Sequence, residues 1–488
     1  MSKMKDDAER TQKKSKPYKE QDESVILRKL NRHLLPPLVL ITLLNYIDRS
    51  NLAFAALQLN QSLGFTEKVY GIGSSIFFIG YALFQVPSNI VMIRLGPRVW
   101  LPIIIVAWGV VATLFAGLKS ATDFYVLRLL LGVAESGSFP GMWYYLSLFY
   151  CDKDLGMAYS WVSVGTAFSQ VIGSPLAAGL LSLDGLWGLK GWQWLFVVEG
   201  LPTVVLGMYI HHILVDGPAK AAFLTPEERE TVIHRKAQSL QEKADMQRGE
   251  GGHLRAFLDW RTYHVALIAM LEGTVKNALL YWCPLIIHSL VDAPSSRGVS
   301  RELAELQLQL PGEAVESEGK AAMVALMTAL PFGVAAGWML LVAKSSQRMG
   351  ETRLHSSVPF LLGSVALLSM AFFLDHNPSA AFVSLLGATI IWGSGGVVYS
   401  LPATFLSGPA AAVGIALVNT FGACGGIGPV LVGHMKEETG NYASAVLLLA
   451  CICLVASAVA FMFPVSQKRP PHIISINRVT SGSKKLQV

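Results

Sequence analysis

From Leu34 onward the chain alternates long apolar runs with polar interruptions, and twelve of the runs reach or approach the roughly 20 residues that a helix needs to cross a bilayer. The first six lie at 34–57, 70–93, 99–118, 124–150, 157–181 and 194–214. After a long polar stretch come 265–291, 321–343, 358–374, 381–401, 410–433 and 443–463. Six runs, a linker and six runs predict an all-α membrane protein of twelve transmembrane helices in two six-helix bundles. The expected organisation is a tail at 1–33, a first bundle at 34–214, a linker at 215–259, a second bundle at 260–464 and a tail at 465–488. Two similar halves with a substrate site between them near the midplane are the layout of one large transporter class. An arginine ladder and a pore loop, the marks of a voltage-gated channel, are missing.

The polar interruptions set the expected orientation. Arg94 and Arg98 fall between the second and third runs, and Lys344, Arg348 and Arg353 between the eighth and ninth. With twelve spans these loops share one side with both tails and the linker, all rich in Lys and Arg, so that side is expected to be cytoplasmic. The longest loop opposite, 292–320, has three basic residues (Arg297, Arg301, Lys320) against six acids (Asp292, Glu302, Glu305, Glu313, Glu316, Glu318). Residues 1–33 lack the short apolar core of a cleaved signal peptide, and a solvated tail, disordered until about Ser24, is expected. In the linker, Thr225-Pro226-Glu227-Glu228 is a helix start, with a threonine cap, proline at the first position and acids in the first turn. A short amphipathic helix acting as a solvated spacer is expected after it.

Composition agrees: of 488 residues 52% are hydrophobic and only 15% charged, with a mean hydropathy of +0.46. Soluble domains carry about 25% charged residues. The 44 glycines suit close helix packing in lipid. A net charge of +6 calls for no nucleic-acid partner. The five cysteines make neither a disulfide framework nor a zinc site, and Cys451 and Cys453 have the wrong spacing for a thioredoxin-type pair. No cofactor is expected.

The chemistry resides in the few charges inside the apolar runs. Asn45-Tyr46-Ile47-Asp48-Arg49-Ser50-Asn51 places an acid, a base and two amides in the first run. A charge at bilayer depth costs about 2.5–3.5 kcal/mol on insertion scales, so such residues pair, face a wet cavity, or both. Asp48 and Arg49 therefore read as machinery, against the alternative of an ion pair that only locks two helices. In the fourth run Arg128, Gly132 and Glu135 stand at i, i+4 and i+7, one stripe of a helix. An acid there can take up a proton and a base can meet an anion; the alternative is a charge cluster sealing one side. In the seventh run Glu272 and Lys276 stand at i and i+4, where mutual pairing is favoured over a substrate-binding Lys276. Glu199, beside Trp192 and Trp194, is expected to cap or pack at an interface. Gly173-Ser174-Pro175 with Gly179 predicts a kink or tight packing in the fifth run.

These motifs resemble the anion:cation symporter family of the major facilitator superfamily. The resemblance rests on 45–51, on Phe77-Phe78-Ile79-Gly80-Tyr81 and Val86-Pro87-Ser88-Asn89, and on the run from Arg128 through Glu135-Ser136-Gly137-Ser138-Phe139-Pro140-Gly141. It continues through Gly191-Trp192-Gln193-Trp194, Glu199-Gly200-Leu201-Pro202, Gly414-Ile415-Ala416-Leu417-Val418-Asn419 and Gly425-Gly426-Ile427-Gly428-Pro429, covering about 34–463. Within that family the chain resembles the tartrate, phthalate, hydroxyphenylacetate, nicotinate and allantoate permeases.

What the resemblance implies is proton-coupled uptake of a small organic anion by alternating access, by a monomer in the plasma membrane with both termini cytoplasmic. Asp48 and Glu135, with Arg128 near Glu135, are the implied proton-coupling residues. Arg49, Tyr46, Tyr81 and Asn45 from the first half and Asn419 from the second are the implied substrate contacts. The loop aspartates of the superfamily are absent: Ile93 precedes Arg94 and Gln347 precedes Arg348, and Gln85 stands where many relatives have glutamate. Losing both aspartates keeps open a membrane sensor that binds without cycling, and sodium or phosphate coupling is the alternative within the family.

Overall fold

In the computed structural model, residues 20–247, 254–292, 313–406 and 408–464 are described. The start of the N-terminal tail, most of the acidic 292–320 loop and the C-terminal tail lie outside the described residues.

The first half comprises α1 (Glu20–Leu63), α2 (Glu67–Leu95), α3 (Pro97–Leu114), α4 (Ala121–Glu135), α5 (Ser138–Phe149), α6 (Asp152–Leu181) and α7 (Gly191–Ile213). The linker forms α8 (Pro226–Gln247). The second half comprises α9 (Trp260–Val291), α10 (Glu313–Met349), α11 (Arg353–Phe373), α12 (Pro378–Ala388), α13 (Gly395–Ser400), α14 (Gly408–Cys424), α15 (Gly428–Thr439) and α16 (Ala443–Phe461). Span four is α4 with α5, span ten α12 with α13, and span eleven α14 with α15, so each half crosses six times. Among the described residues all the regular structure is helical.

The helices start where capping chemistry lets them. Thr66 accepts from the Val69 amide at α2, Ser120 from Asp123 at α4, and Asn377, followed by Pro378, from Ala380 at α12. By length and composition eight helices among the described residues can cross a membrane; the first, fourth, fifth and seventh spans are not among these eight. Three of those four carry charges within the span, Asp48 and Arg49, Arg128 and Glu135, and Glu272 and Lys276. Exposed side chains such as Leu83, Phe84, Val205 and Phe372 leave apolar surface facing outward, as lipid requires.

The first helix begins at Glu20, inside the expected tail. Two expectations need correction. The linker helix has the expected start, with Glu228 N–H donating to Thr225 Oγ1 at 3.3 Å and Thr225 N–H to Glu228 Oε2 at 2.8 Å. It is no solvated spacer, however. Val232 is buried, Lys29 reaches Glu228 at 2.7 Å, and Arg235 meets Glu23 at 2.5 Å and Asp154 at 3.3 Å. In α6, Gly179 faces open space and Gly173 makes only ordinary contact with Ile47, although Pro175 sits inside the helix as read. Close packing on α6 falls instead at Gly165, where a Cβ would come 3.0 Å from Val39 O.

Close approach of α2 and α4 positions the site. A Cβ on Gly132 would stand 2.0 Å from the Phe77 carbonyl oxygen, and one on Gly80 would stand 2.6 Å from Leu129 O. Only bare backbone fits at both places. Phe77 and Tyr81 are thereby held beside the charges of α1 and α4.

The halves meet through α1 with α9, α2 with α15, and α6 with α10. Their hydrogen bonds among the described residues all lie toward the face opposite the linker. Glu437 Oε2 accepts from the Lys68 amide at 3.0 Å, Tyr70 Oη donates to Tyr281 O at 2.7 Å, and the Val430 amide donates to Ser75 Oγ at 3.2 Å. Gly71 lies so near α15 that a Cβ would come 2.8 Å from Pro429 O. That face is closed.

Candidate functional site

Glu135, the last residue of α4, is completely buried and is the hub of the first half. Its Oε2 accepts from Asn45 Nδ2 and from Arg49 Nε, each at 2.8 Å. Asn45 and Arg49 stand four residues apart on α1, one turn, so both reach the same carboxylate. The Arg49 guanidinium is ringed by aromatics, 4.7 Å from the Tyr81 centroid, 5.0 Å from Phe77 and 5.3 Å from Tyr46. Such contacts hold a desolvated cation by about 2 kcal/mol. Arg49 Nη2 has no partner. The carboxyls of Asp48 and Glu135 are neighbours, and Asp48 Oδ2 and Glu135 Oε1 each meet no donor.

Arg128 shares the stripe with Glu135 as its spacing predicts, but the two do not pair. Its Nε donates to Gly73 O and its Nη2 to Ser74 O, both at 3.1 Å, and Nη2 also donates to Tyr281 Oη at 3.0 Å across the two halves. Its guanidinium stands 4.7 Å from the Phe77 ring, so that ring is shared by both arginines. The physical reason is reach: seven residues along a helix is two turns, and the α2 carbonyls are closer than the acid.

In the second half Lys276 donates to Glu272 Oε1, the pairing favoured from their spacing, and Ser394 Oγ donates to the same oxygen at 3.0 Å. Asn419 is half-buried on α14 and no hydrogen bond among the described residues joins it to either cluster. Glu199 neither caps nor merely packs: it is buried in α7 and accepts from Asn51 Nδ2 of α1. The sequence signal was available, since an acid within an apolar run deserves a partner and Asn51 belonged to the quoted motif. Tyr281 and Ser394 carried no such signal. The described residues contain no group of His, Cys, Asp or Glu able to hold a metal ion.

Two half-bundles with broken spans and an acid–base pair inside each are the architecture of one class of membrane transporters. The profile of the Major Facilitator Superfamily matches residues 38–427, and the chain belongs to that family. A protein of Agrobacterium vitis named for tartrate transport is 33% identical over 93% of this chain and 95% of its own length. NicT of Pseudomonas putida, named for metabolite transport, is 31% identical over 88% and 93%. Among solved structures, a bacterial homolog to the human lysosomal transporter Spinster, inward-facing and unoccupied, superposes with a TM-score of 0.70 at 15% identity, over 89% of this chain and 96% of that one. The protein is thus an integral membrane secondary transporter.

Proposed function

We propose that the protein is a proton symporter that takes up a small organic carboxylate across the plasma membrane, with the linker face and both termini in the cytoplasm. The observation that carries this is the Asp48, Glu135 and Arg49 cluster: two neighbouring buried carboxyls, one of them paired with a guanidinium, leave two oxygens without a donor. Like charges that close cannot both persist in a dry site, so one proton is held between them. A second proton neutralises Glu135 and releases Arg49. The guanidinium, with its unpartnered Nη2, then receives a substrate carboxylate through its planar fork. Tyr46 and Tyr81 flank the anion and Asn45 orients the acid.

With charges balanced the halves can rock. Closure at the face opposite the linker is the state that releases substrate to the cytoplasm, and opening that face requires Arg128 to leave Tyr281. The basic loops on the linker side support this orientation.

Reconstitution into proteoliposomes tests the proposal with radiolabelled tartrate as probe. A pH gradient, alkaline inside, is expected to drive accumulation that a protonophore abolishes. Accumulation driven by a sodium gradient without a pH gradient, or binding without accumulation, would overturn it.

A further inference from the structure

The second half contains a cation–acid pair that the proton cycle above does not use. Glu272 is 1% exposed in the middle of α9, and Lys276, one turn on, donates to its Oε1. Ser394, at the 3-10 break of span ten, donates to that same oxygen. Glu272 Oε2 meets no donor. The ammonium lies against bare backbone: a Cβ on Gly395 would stand 2.8 Å from Lys276 Nζ and 3.1 Å from Glu272 Oε1. Yet 20% of the Lys276 side chain stays accessible. α1, which carries Arg49, packs against α9, which carries Glu272 and Lys276, so the two clusters lie on neighbouring helices where the halves meet.

An i, i+4 Glu–Lys pair on an exposed helix contributes only a few tenths of a kcal/mol, whereas two charges mid-span are costly to keep. A pair kept only for structure would be sealed, with both oxygens satisfied. This one is open on the lysine side and short of a donor on the acid side. The first half shows the same arrangement, with Glu135 Oε1 and Arg49 Nη2 unpartnered.

We infer that the substrate is a dianion, one carboxylate taken by Arg49 in the first half and the other by Lys276 in the second, with Glu272 as a second proton acceptor. This rests on the proton-coupled function proposed above. The charge balance sets the stoichiometry. Each arm is neutral when its cation is paired with its acid. When a substrate carboxylate replaces the acid, neutrality returns only if the acid takes a proton from solution. Two arms therefore take two protons with one dianion, and no net charge crosses. A monoanion would leave Lys276 with Glu272 and carry one proton.

Proton influx per labelled tartrate, read with a pH dye in proteoliposomes, tests this, with malate and lactate as unlabelled competitors. Wild-type protein is expected to take two protons per tartrate and to prefer malate over lactate by about tenfold. The double variant Glu272→Gln with Lys276→Gln, neutral and close in shape, is expected to lose that preference and to drop to one proton. Glu272→Gln alone keeps the preference but drops to one proton, and Lys276→Arg keeps both properties, so an answer survives if the double variant fails to insert. Two protons and an unchanged preference in the double variant, or wild-type protein in which lactate competes as well as malate and one proton enters per tartrate, would overturn the dianion alone. Wild-type protein that does not accumulate tartrate under a pH gradient would overturn the proton-coupled function as well.

Discussion

Buried polar residues here are legible in kind but not in partnership. Asp48, Arg49, Arg128, Glu135 and the amides Asn45 and Asn51 stand out in the sequence because little else in their apolar runs can ionise or hydrogen-bond so strongly. Which carboxylate Arg49 meets depends on how α1 lies against α4, and no local pattern encodes that. Arg128 shows the limit: helical spacing placed it on the Glu135 stripe, yet it spends its donors on Gly73, Ser74 and Tyr281. Glu199 shows another, since its partner Asn51 lies on a different span. That pair gives a prediction. Asn51→Leu leaves a buried carboxyl without its donor and is expected to destabilise by about 1–3 kcal/mol. Adding Glu199→Leu removes the orphan and is expected to restore most of the loss, as a shift in melting temperature in detergent will show.

Elements were legible where apolar runs were long, and their breaks were less so. Span four divides after Glu135, and span ten divides through Thr389–Ser394. Both breaks put helix ends beside buried acids, where interior rather than lipid must satisfy the backbone. Glycine content in a run says that close packing occurs but not which glycine makes it. Gly132 and Gly179 separate the cases. Gly132→Ala puts a methyl group into the backbone of α2, which cannot move aside as a side chain can, and it is expected to destabilise by about 1–3 kcal/mol and to cut transport. Gly179→Ala enters open space and is expected to be neutral or to stabilise by up to about 1 kcal/mol. Thermal unfolding with uptake in parallel distinguishes them.

At the scale of the whole molecule, the two-bundle plan followed from counting runs, but the face that is closed did not. Both states of an alternating-access carrier are built from one sequence, so only the contacts tell them apart. Here Gly71 against Pro429, Lys68 against Glu437 and Tyr70 against Tyr281 close the face opposite the linker. Gly71→Leu is expected to wedge that face open. A cysteine at Ser75, in a background lacking the five native cysteines, should then react faster with a membrane-impermeant maleimide from that side. An unchanged rate would mean that α2 and α15 are not the closing surfaces.

Coupling itself is tested most directly by Glu135→Gln, which keeps an acceptor for Asn45 and Arg49 and removes the titratable proton. Two rates in the same proteoliposomes decide it, uphill uptake of labelled tartrate under a pH gradient and exchange of labelled for unlabelled tartrate with no gradient. Loss of uphill uptake with exchange retained is the expected result. Uphill uptake at the wild-type rate would contradict the claim that a buried acid carries the proton.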